Sequence, residues 1–256
     1  MKRVTIPATT LIMLLAWLTL TPYSYASKAD DHAAATRIIQ QVQDLLRANN
    51  SYARYHMQIV TADWQRDIRF DSWDDRLQRR FFVRILEPRK DHDTTWLKNG
   101  KNLWMFIPRL ERDIRIPPSM MLSSWMGSDF TNDDLVKMES VVEDYEHHII
   151  ARDDTTVTIE SIPHPNAPVV WGKLIHVINN EHLPLSVAYY DEHNSLVRTM
   201  HYSEVKTMDG RRLPTRWVMQ SASENSKQTI LTMEQVDFDL QLNDAMFSRK
   251  RLRQHH

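Results

Sequence analysis

Apolar residues near the beginning of the chain recur at the spacing of a helix. Within residues 30–48 these positions are Ile38, Val42, Leu45 and Leu46. Residues three and four positions apart lie on one face of a helix. The pattern therefore predicts one amphipathic helix, which Asp30 or Asp31 can cap at its start and which Asn49 and Asn50 end.

From about residue 54 onward the apolar pattern changes to short strands separated by polar turns. The predicted strands cover residues 57–62, 66–70, 80–86, 94–98, 102–107, 141–150, 155–161, 173–179, 185–190, 196–204, 215–221 and 228–238. Asn99-Gly100 and Asp209-Gly210 are signals for tight turns. Because the connections are short and no helices alternate with the strands, we predict a mainly β protein with one antiparallel sheet, curved or barrel-like.

Several predicted strands are apolar on both faces. In residues 102–107, Trp104 and Phe106 would point away from the apolar residues that alternate with them. A sheet with one face in water would alternate apolar and polar residues, so a second apolar layer is expected here. The N-terminal helix and the middle segment, residues 108–140, are expected to supply it. The concave face of the sheet could also line a ligand cavity.

Glycine and cysteine usage narrows the possible chemistry. The chain has 256 residues, of which 4 are Gly and none is Cys. The glycines lie far apart, so the clustered-glycine motifs of dinucleotide sites, Walker loops and nucleophile elbows are excluded. The lack of Cys excludes disulfides, thiolate metal sites and cysteine nucleophiles.

The N-terminus resembles a secretory signal peptide. Basic residues at positions 2 and 3 precede the apolar run of residues 11–18, and Ala26 ends a cleavage-site pattern. We therefore expect residues 1–26 to be removed and residues 27–256 to form a single domain in the periplasm. Without the two basic residues, 30 Lys and Arg face 33 Asp and Glu, so no charge excess favours nucleic acid as a partner.

Histidines and carboxylates are numerous but scattered. His147 and His148 lie on a predicted strand, where neighbouring side chains face opposite sides. Neither an H-E-x-x-H motif nor another dense group of ligands appears along the sequence. We therefore expect no catalytic residues, no metal site and no cofactor, and a hydrolase is the least favoured of the functions considered.

A Met-rich stretch in the middle segment offers a soft, adaptable apolar surface. Its apolar residues are Met120, Met121, Leu122, Trp125 and Met126. Such a surface suits irregular partners such as acyl chains, although the stretch could equally plug the concavity of the sheet. Together with Trp104, Phe106 and Phe130, these residues are the candidates for lipid contact in a cavity or lid.

A capping pattern follows the Met-rich stretch. Thr131 is followed three residues later by Asp134, and Asp133 adds a second acid in the first turn. A side chain such as that of Thr131 can accept hydrogen bonds from the free backbone amides at the start of a helix. Acidic side chains there also interact favourably with the helix dipole. The pattern predicts a short helix. Gly127, just before it, is expected to have a positive φ or to lie at a close approach of two chains.

Residues 125–137, WMGSDFTNDDLVK, resemble a family of outer membrane lipoprotein-sorting proteins in the LolA-like superfamily of periplasmic carriers. The resemblance implies an incomplete, strongly curved antiparallel β-barrel covered by a helical lid, with an apolar cavity for lipid. The motif residues that carry it are Gly127, Ser128, Asp129, Phe130, Asp133 and Asp134.

The resemblance also implies a function. We expect a non-enzymatic, monomeric periplasmic carrier that encloses the acyl chains of a lipoprotein or another envelope lipid, for sorting to the outer membrane. Enclosure is physically needed because each acyl methylene exposed to water costs about 0.8 kcal/mol. An inner-membrane ABC or RND-type transporter is a candidate partner. The alternative is an accessory module that senses lipid or envelope state for a transporter or a signalling complex.

Overall fold

The computed structural model of the protein describes residues 25–137, 141–223 and 226–254. The predicted signal peptide, residues 1–26, therefore lies almost entirely outside the described residues. Within these ranges, no helix combines the length and the apolar character needed to cross a membrane.

The predicted N-terminal helix is confirmed as α1 (Tyr25–Arg47). Asp30 and Asp31 lie inside it and not at its start, because the alanine-rich sequence before the apolar stripe also favours a helix. Ala48, with φ of 54°, turns the chain out of the helix in the left-handed conformation. Asn50, predicted to end the helix, is instead the first residue of the sheet.

Thirteen strands follow in the described part of the chain. They are β1 (Asn50–Val60), β2 (Gln65–Asp75), β3 (Arg80–Glu87), β4 (Thr95–Asn99), β5 (Asn102–Ile107), β6 (Arg112–Arg115), β7 (Tyr145–Arg152), β8 (Thr156–Pro163), β9 (Lys173–Asn179), β10 (Pro184–Tyr190), β11 (Leu196–Met208), β12 (Arg211–Ser221) and β13 (Gln228–Phe238). The predicted tight turns at Gly100 and Gly210 join β4 to β5 and β11 to β12.

Two predictions about strands were wrong. Strand β6 was missed because its four residues are mostly charged, and it is held by backbone pairing with β5, for example Ile114 with Met105. The predicted strand over residues 141–150 is divided in two. Val141–Asp144 form a helical turn, α3, whose valines pack with apolar residues of α1, and only the rest is strand.

All thirteen strands belong to one antiparallel sheet. The order across it is β6-β5-β4-β3-β2-β1-β13-β12-β11-β10-β9-β8-β7. The first and last strands thus pair in the middle, for instance Met57 with Leu231. The edge strands β6 and β7 are consecutive in the chain but do not pair with each other, so the sheet is open, and the segment over residues 116–144 connects its two edges.

The sheet curves around one apolar core. Ile68 on β2 and Ile85 on β3 belong to the same buried cluster as Leu174 on β9, Met200 on β11 and Leu213 on β12. Strands this far apart in the sheet can share a cluster only if the sheet bends around it. This concave side is where a ligand cavity was expected.

The convex side of strands β3 to β5 is covered by the end of the chain. Phe106 is buried there against Phe247 and Leu252, and Trp104 packs on the same cluster. The expectation that the N-terminal helix and the middle segment cover this face was wrong. Helix α1 instead packs on the other end of the sheet, where Ile39 meets Ile178.

The remaining helices are short. They are α2 (Asn132–Lys137), α3 (Val141–Asp144) and α4 (Arg249–Leu252), with 3-10 turns at Pro108–Leu110, Pro118–Met120 and Asp244–Phe247. The predicted cap of α2 is confirmed: the Thr131 hydroxyl accepts from the Asp134 amide at 3.2 Å, and the Asp134 carboxylate accepts from the Thr131 amide at 2.7 Å.

Candidate functional site

An apolar cavity of about 150 Å³ lies between α1 and the concave face of strands β9 to β12. Its helical wall is made by Ile39, Val42 and Leu46. Its sheet wall is made largely by Leu174, Ile178, Val187, Met200, Trp217 and Met219. These side chains alternate along their strands with residues on the other face, which is why one stretch of sheet presents a nearly continuous hydrocarbon surface.

Three tyrosines contribute the cavity's hydroxyl groups. Burial raises the pKa of Tyr189 to about 12, and it also raises the pKa of Tyr145 and Tyr202. The Tyr145 hydroxyl donates to the carbonyl oxygen of Trp171 at 3.2 Å. At neutral pH these phenols are uncharged, so they add hydrogen-bonding groups to the wall without attracting ions.

A buried histidine, His176 on β9, also lies in the cavity wall. Burial lowers its pKa to about 3, and nearby His147 adds to this effect. Among the described residues, no group hydrogen-bonds to its Nε2 atom. His147 is fully buried while His148 is partly exposed, so their predicted opposite orientation is confirmed. The cavity therefore holds a neutral imidazole.

Three residues of the sequence motif reach this cavity. Phe130, Asp133 and Asp134 line it. The Asp134 carboxylate accepts from Nη1 of Arg198 on β11 at 2.9 Å. Nη1 of Arg198 also donates to the carbonyl oxygen of Asp129 at 2.8 Å. The motif is thus tied to the sheet beside the cavity.

Arg198 is enclosed on both sides by aromatic rings. Its guanidinium carbon lies 4.4 Å from the ring centre of Trp171 and 4.6 Å from that of Tyr189. Burial alone would lower the pKa of Arg198, but the attraction and hydrogen bonds of Asp134 raise it above its usual value. Arg198 is therefore a fixed positive charge, neutralised by Asp134 and flanked by cation–π contacts.

The motif is also tied to strand β13. The Asp129 amide donates to the Thr229 hydroxyl at 2.9 Å, and this hydroxyl donates to the Asp129 carboxylate at 2.7 Å. Lys227 lies 3.3 Å from the other carboxylate oxygen. Within the motif, the buried Ser128 hydroxyl donates to the Trp125 carbonyl at 2.6 Å. These bonds give the polar residues of the stretch a structural explanation.

Gly127 allows the turn that places these groups. Its φ is +83°, which confirms the prediction of a positive φ, and Met126 before it also has a positive φ of 56°. Nη1 of Arg66 on β2 donates to the Met126 carbonyl at 3.0 Å. The segment is therefore hydrogen-bonded to both arms of the sheet, to β2 in the arm formed by β1 to β6 and to β11 in the arm formed by β7 to β13.

The Met-rich stretch divides into buried and exposed residues. Trp125 is 3% exposed and packs against Phe70 and Trp96, with ring centres 5.2 and 5.5 Å away. Met121 and Met126 are partly buried against the same core. Met120 and Leu122 are exposed.

Two predicted lipid-contact residues lie on the convex side of the sheet. Trp104 and Phe106 pack with the C-terminal segment, and the guanidinium of Arg249 lies 4.0 Å from the ring centre of Trp104. The fold thus brings neither side chain into the cavity. Among the predicted lipid-contact residues, Phe130 is the one that lines it.

Sequence reasoning missed most of the cavity wall. Trp171, Tyr189, Tyr202 and Trp217 are aromatic residues near or within predicted strands, and they meet on one face of the sheet. The aromatic enrichment of β9 to β12 was a sequence signal from which this wall could have been predicted. Which of their faces is concave depends on how the sheet bends.

Comparisons with known proteins give a family and a fold. Residues 77–254 match the model of a protein family described as "-like: Uncharacterized protein". No curated protein matches the sequence.

Solved structures match over most of the chain. A DUF1329 family protein from Desulfovibrio piger has a TM-score of 0.78 at 18% identity, covering 87% of this chain and 99% of its own. A Vibrio parahaemolyticus domain, described as belonging to an outer membrane lipoprotein-sorting protein, has a TM-score of 0.74 at 20% identity, covering 87% and 100%. A LolA superfamily protein from Nitrosomonas europaea has a TM-score of 0.72 at 19% identity, covering 85% and 98%.

Proposed function

The chain belongs to the family whose model matches residues 77–254 and has the LolA-like fold, and from this premise we propose that it is a non-enzymatic carrier of lipid acyl chains. In this proposal the cavity between α1 and strands β9 to β12 receives an acyl chain of a lipoprotein or of another envelope lipid. The names of two structural relatives, a lipoprotein-sorting domain and a LolA superfamily protein, support this direction.

The observation that carries the proposal is the chemistry of the cavity wall. It combines a hydrocarbon surface with neutral tyrosines and a neutral histidine, and two of its charged lining residues are paired with opposite charges, Asp134 with Arg198 and Arg47 with Asp74. Such a wall can bury methylene groups, each worth about 0.8 kcal/mol.

The size of the cavity requires a movement. A volume of about 150 Å³ accommodates a molecule the size of benzene, which is much smaller than a long acyl chain. Helix α1 supplies the wall residues Ile39, Val42 and Leu46, so its displacement from the sheet would enlarge the cavity. We propose that α1 and the motif segment together act as the lid, with the exposed Met120 and Leu122 as a first contact surface for the chain.

The same premise leads to a proposed location and partner for the protein. We propose that the chain is exported by its N-terminal signal sequence, works in the periplasm as a monomer and delivers its cargo to the outer membrane. An inner-membrane transporter of the ABC or RND type remains the candidate partner for loading.

A binding assay with a synthetic, fluorescently labelled lipopeptide carrying three palmitoyl chains tests the proposal. Val187→Phe inserts a ring into the cavity wall, where Val187 is buried, and we expect it to weaken lipopeptide binding at least tenfold. Native mass spectrometry of the wild type from periplasm should show bound lipid.

Val205→Phe is the matched control. It makes the same change at an exposed position of β11, so lipopeptide binding should stay at the wild-type level. Thermal unfolding of both variants verifies that they are folded. Equal binding by the two variants, or a wild type that binds no lipopeptide and carries no lipid, contradicts the proposal.

A further inference from the structure

Three potential metal ligands meet where helix α1 lies on the edge strand β7. His32 comes from α1, whereas Glu146 and His148 are two positions apart on β7 and so share one of its faces. One ligand atom of each lies within 4.8 Å of the other two. Oε1 of Glu146 and Nε2 of His148 are already 3.3 Å apart.

The hydrogen bond of His32 leaves a ring nitrogen available to a metal. Nδ1 of His32 lies 2.9 Å from the carbonyl oxygen of His147. A carbonyl oxygen can only accept, so Nδ1 carries the proton and Nε2 presents its lone pair. Metal-bound histidines almost always donate their other ring N–H to a carbonyl or a carboxylate, which fixes both tautomer and ring orientation.

The distances suit a zinc ion. Zinc holds histidine nitrogens at about 2.0–2.1 Å and carboxylate oxygens at about 2.0–2.2 Å, so ligand atoms of a tetrahedral site are roughly 3.3–3.5 Å apart. Glu146 and His148 already have this spacing. Their side chains are 52% and 43% exposed, so rotation about their own bonds can close the remaining distance to His32.

We propose that His32, Glu146 and His148 form a Zn²⁺ site that fastens α1 to β7. Two imidazoles and one carboxylate are donors that zinc accepts, whereas magnesium and calcium prefer oxygen ligands alone. Three protein ligands leave a fourth position for water on this exposed surface. The sequence predicted no metal site because His32 is distant along the chain from the other two ligands.

At this location a bound ion would attach the N-terminal part of α1 to the sheet. His32 lies beyond the predicted cleavage position, Ala26, so the site would be retained in the exported protein. The other end of α1 is held by Arg47, whose Nη2 lies 2.6 Å from Oδ2 of Asp74. With zinc bound, both ends of the helix that covers the cavity are attached to the sheet. The metal site itself does not depend on the carrier function.

Calorimetric titration of the tag-free, EDTA-treated protein with zinc chloride tests the site. We expect one saturable site with a micromolar or lower Kd and an increase in Tm that EDTA reverses. Magnesium chloride should produce neither effect. His148→Ala and Glu146→Gln change exposed side chains, and each should weaken zinc binding at least about tenfold while the Tm of the metal-free protein stays near that of the wild type.

His193→Ala is the matched control. His193 is an exposed histidine next to a glutamate, Glu192, but it lies on the loop between β10 and β11. This variant should bind zinc like the wild type. A titration without a saturable site overturns the proposal. Wild-type affinity in His148→Ala also overturns it, because the zinc must then bind other side chains, such as the histidines at positions 255 and 256.

Discussion

Arg198 of strand β11 and Asp134 of helix α2 form a largely buried ion pair beside the cavity, which Asp134 lines. Their side chains are 5% and 14% exposed. Since Arg198 is also enclosed by Trp171 and Tyr189, the pair holds the motif segment against the second arm of the sheet. The sheet edges do not pair with each other, so contacts of this kind close the concave side.

Removal of the arginine should destabilise the protein strongly. Arg198→Met leaves the Asp134 carboxylate buried without its positive partner, so we expect the free energy of unfolding to fall by about 3–5 kcal/mol. Urea denaturation followed by tryptophan fluorescence measures the loss. Hydrogen exchange should show the largest loss of protection in residues 116–137.

An exposed arginine provides the control for this substitution. Arg212 pairs with Glu181, and both side chains are more than half exposed. Surface pairs of this kind contribute little, so Arg212→Met should change the free energy of unfolding by less than about 1 kcal/mol. Similar losses in the two variants would mean that the buried pair has no special role.

Gly127 is expected to resist substitution for reasons of backbone conformation alone. A Cβ atom there would find no heavy atom closer than Nη1 of Arg66, at 4.0 Å, yet φ is +83°. An L-residue in the left-handed region costs about 1–2 kcal/mol, so Gly127→Ala should lower the free energy of unfolding by that amount. Gly127→Asn should cost less, because Asn tolerates this conformation better.

Gly172 is the useful comparison, because its constraint is steric. A Cβ atom there would lie 2.5 Å from the carbonyl oxygen of Asp191, which is backbone and cannot rotate away. Gly172→Ala and Gly172→Asn should therefore both lower the free energy of unfolding. At position 172, unlike position 127, Asn should be no better tolerated than Ala. Equal urea midpoints for Gly127→Ala and the wild type would contradict the conformational explanation.

Trp125 and Leu122 separate the two roles considered for the Met-rich stretch. Trp125 is 3% exposed and packs against Phe70 and Trp96. Trp125→Ala should therefore lower the free energy of unfolding by about 3–5 kcal/mol, because it leaves a void in the core. Leu122 is 61% exposed, and Leu122→Ala should leave the unfolding midpoint within error of the wild type. If Leu122→Ala proved as destabilising as Trp125→Ala, the exposed part of the stretch would have to belong to the core.

Local patterns predicted most of the secondary structure. Helix α1, the turns at Gly100 and Gly210 and the cap at Thr131 depend on residues within a few positions of one another, and the sequence displays those spacings directly. Strand β6 was missed because it is defined by the backbone bonds it makes to β5 and not by an apolar pattern of its own.

The candidate site depends on contacts between distant residues. Phe130 was predicted to contact lipid because it lies in the motif, and it does line the cavity. Trp104 looked equally suitable, but the bending of the sheet and the C-terminal segment place it on the convex side. The ion pair between Arg198 and Asp134 joins strand β11 to helix α2 across a sequence separation of 64 residues, so no local spacing predicts it.

The buried imidazole of His176 should make the protein sensitive to acid. Burial lowers its pKa to about 3, whereas an unfolded chain binds the proton near pH 6.5. Below pH 6.5 the unfolded state therefore binds more protons than the folded state, and stability falls as the pH falls towards 3. At pH 5 the contribution of this one group amounts to a loss of about 2 kcal/mol relative to pH 7.5.

His176→Leu keeps an apolar side chain in the cavity wall and removes the proton-binding group. Urea midpoints at pH 7.5 and pH 5 should therefore differ less in this variant than in the wild type, with about 2 kcal/mol of the acid-induced loss abolished. His201→Leu, at an exposed position of β11, should keep the wild-type difference. If His176→Leu and the wild type lose the same stability between the two pH values, His176 binds its proton as readily in the folded protein as in the unfolded chain, and burial in the cavity wall does not lower its pKa.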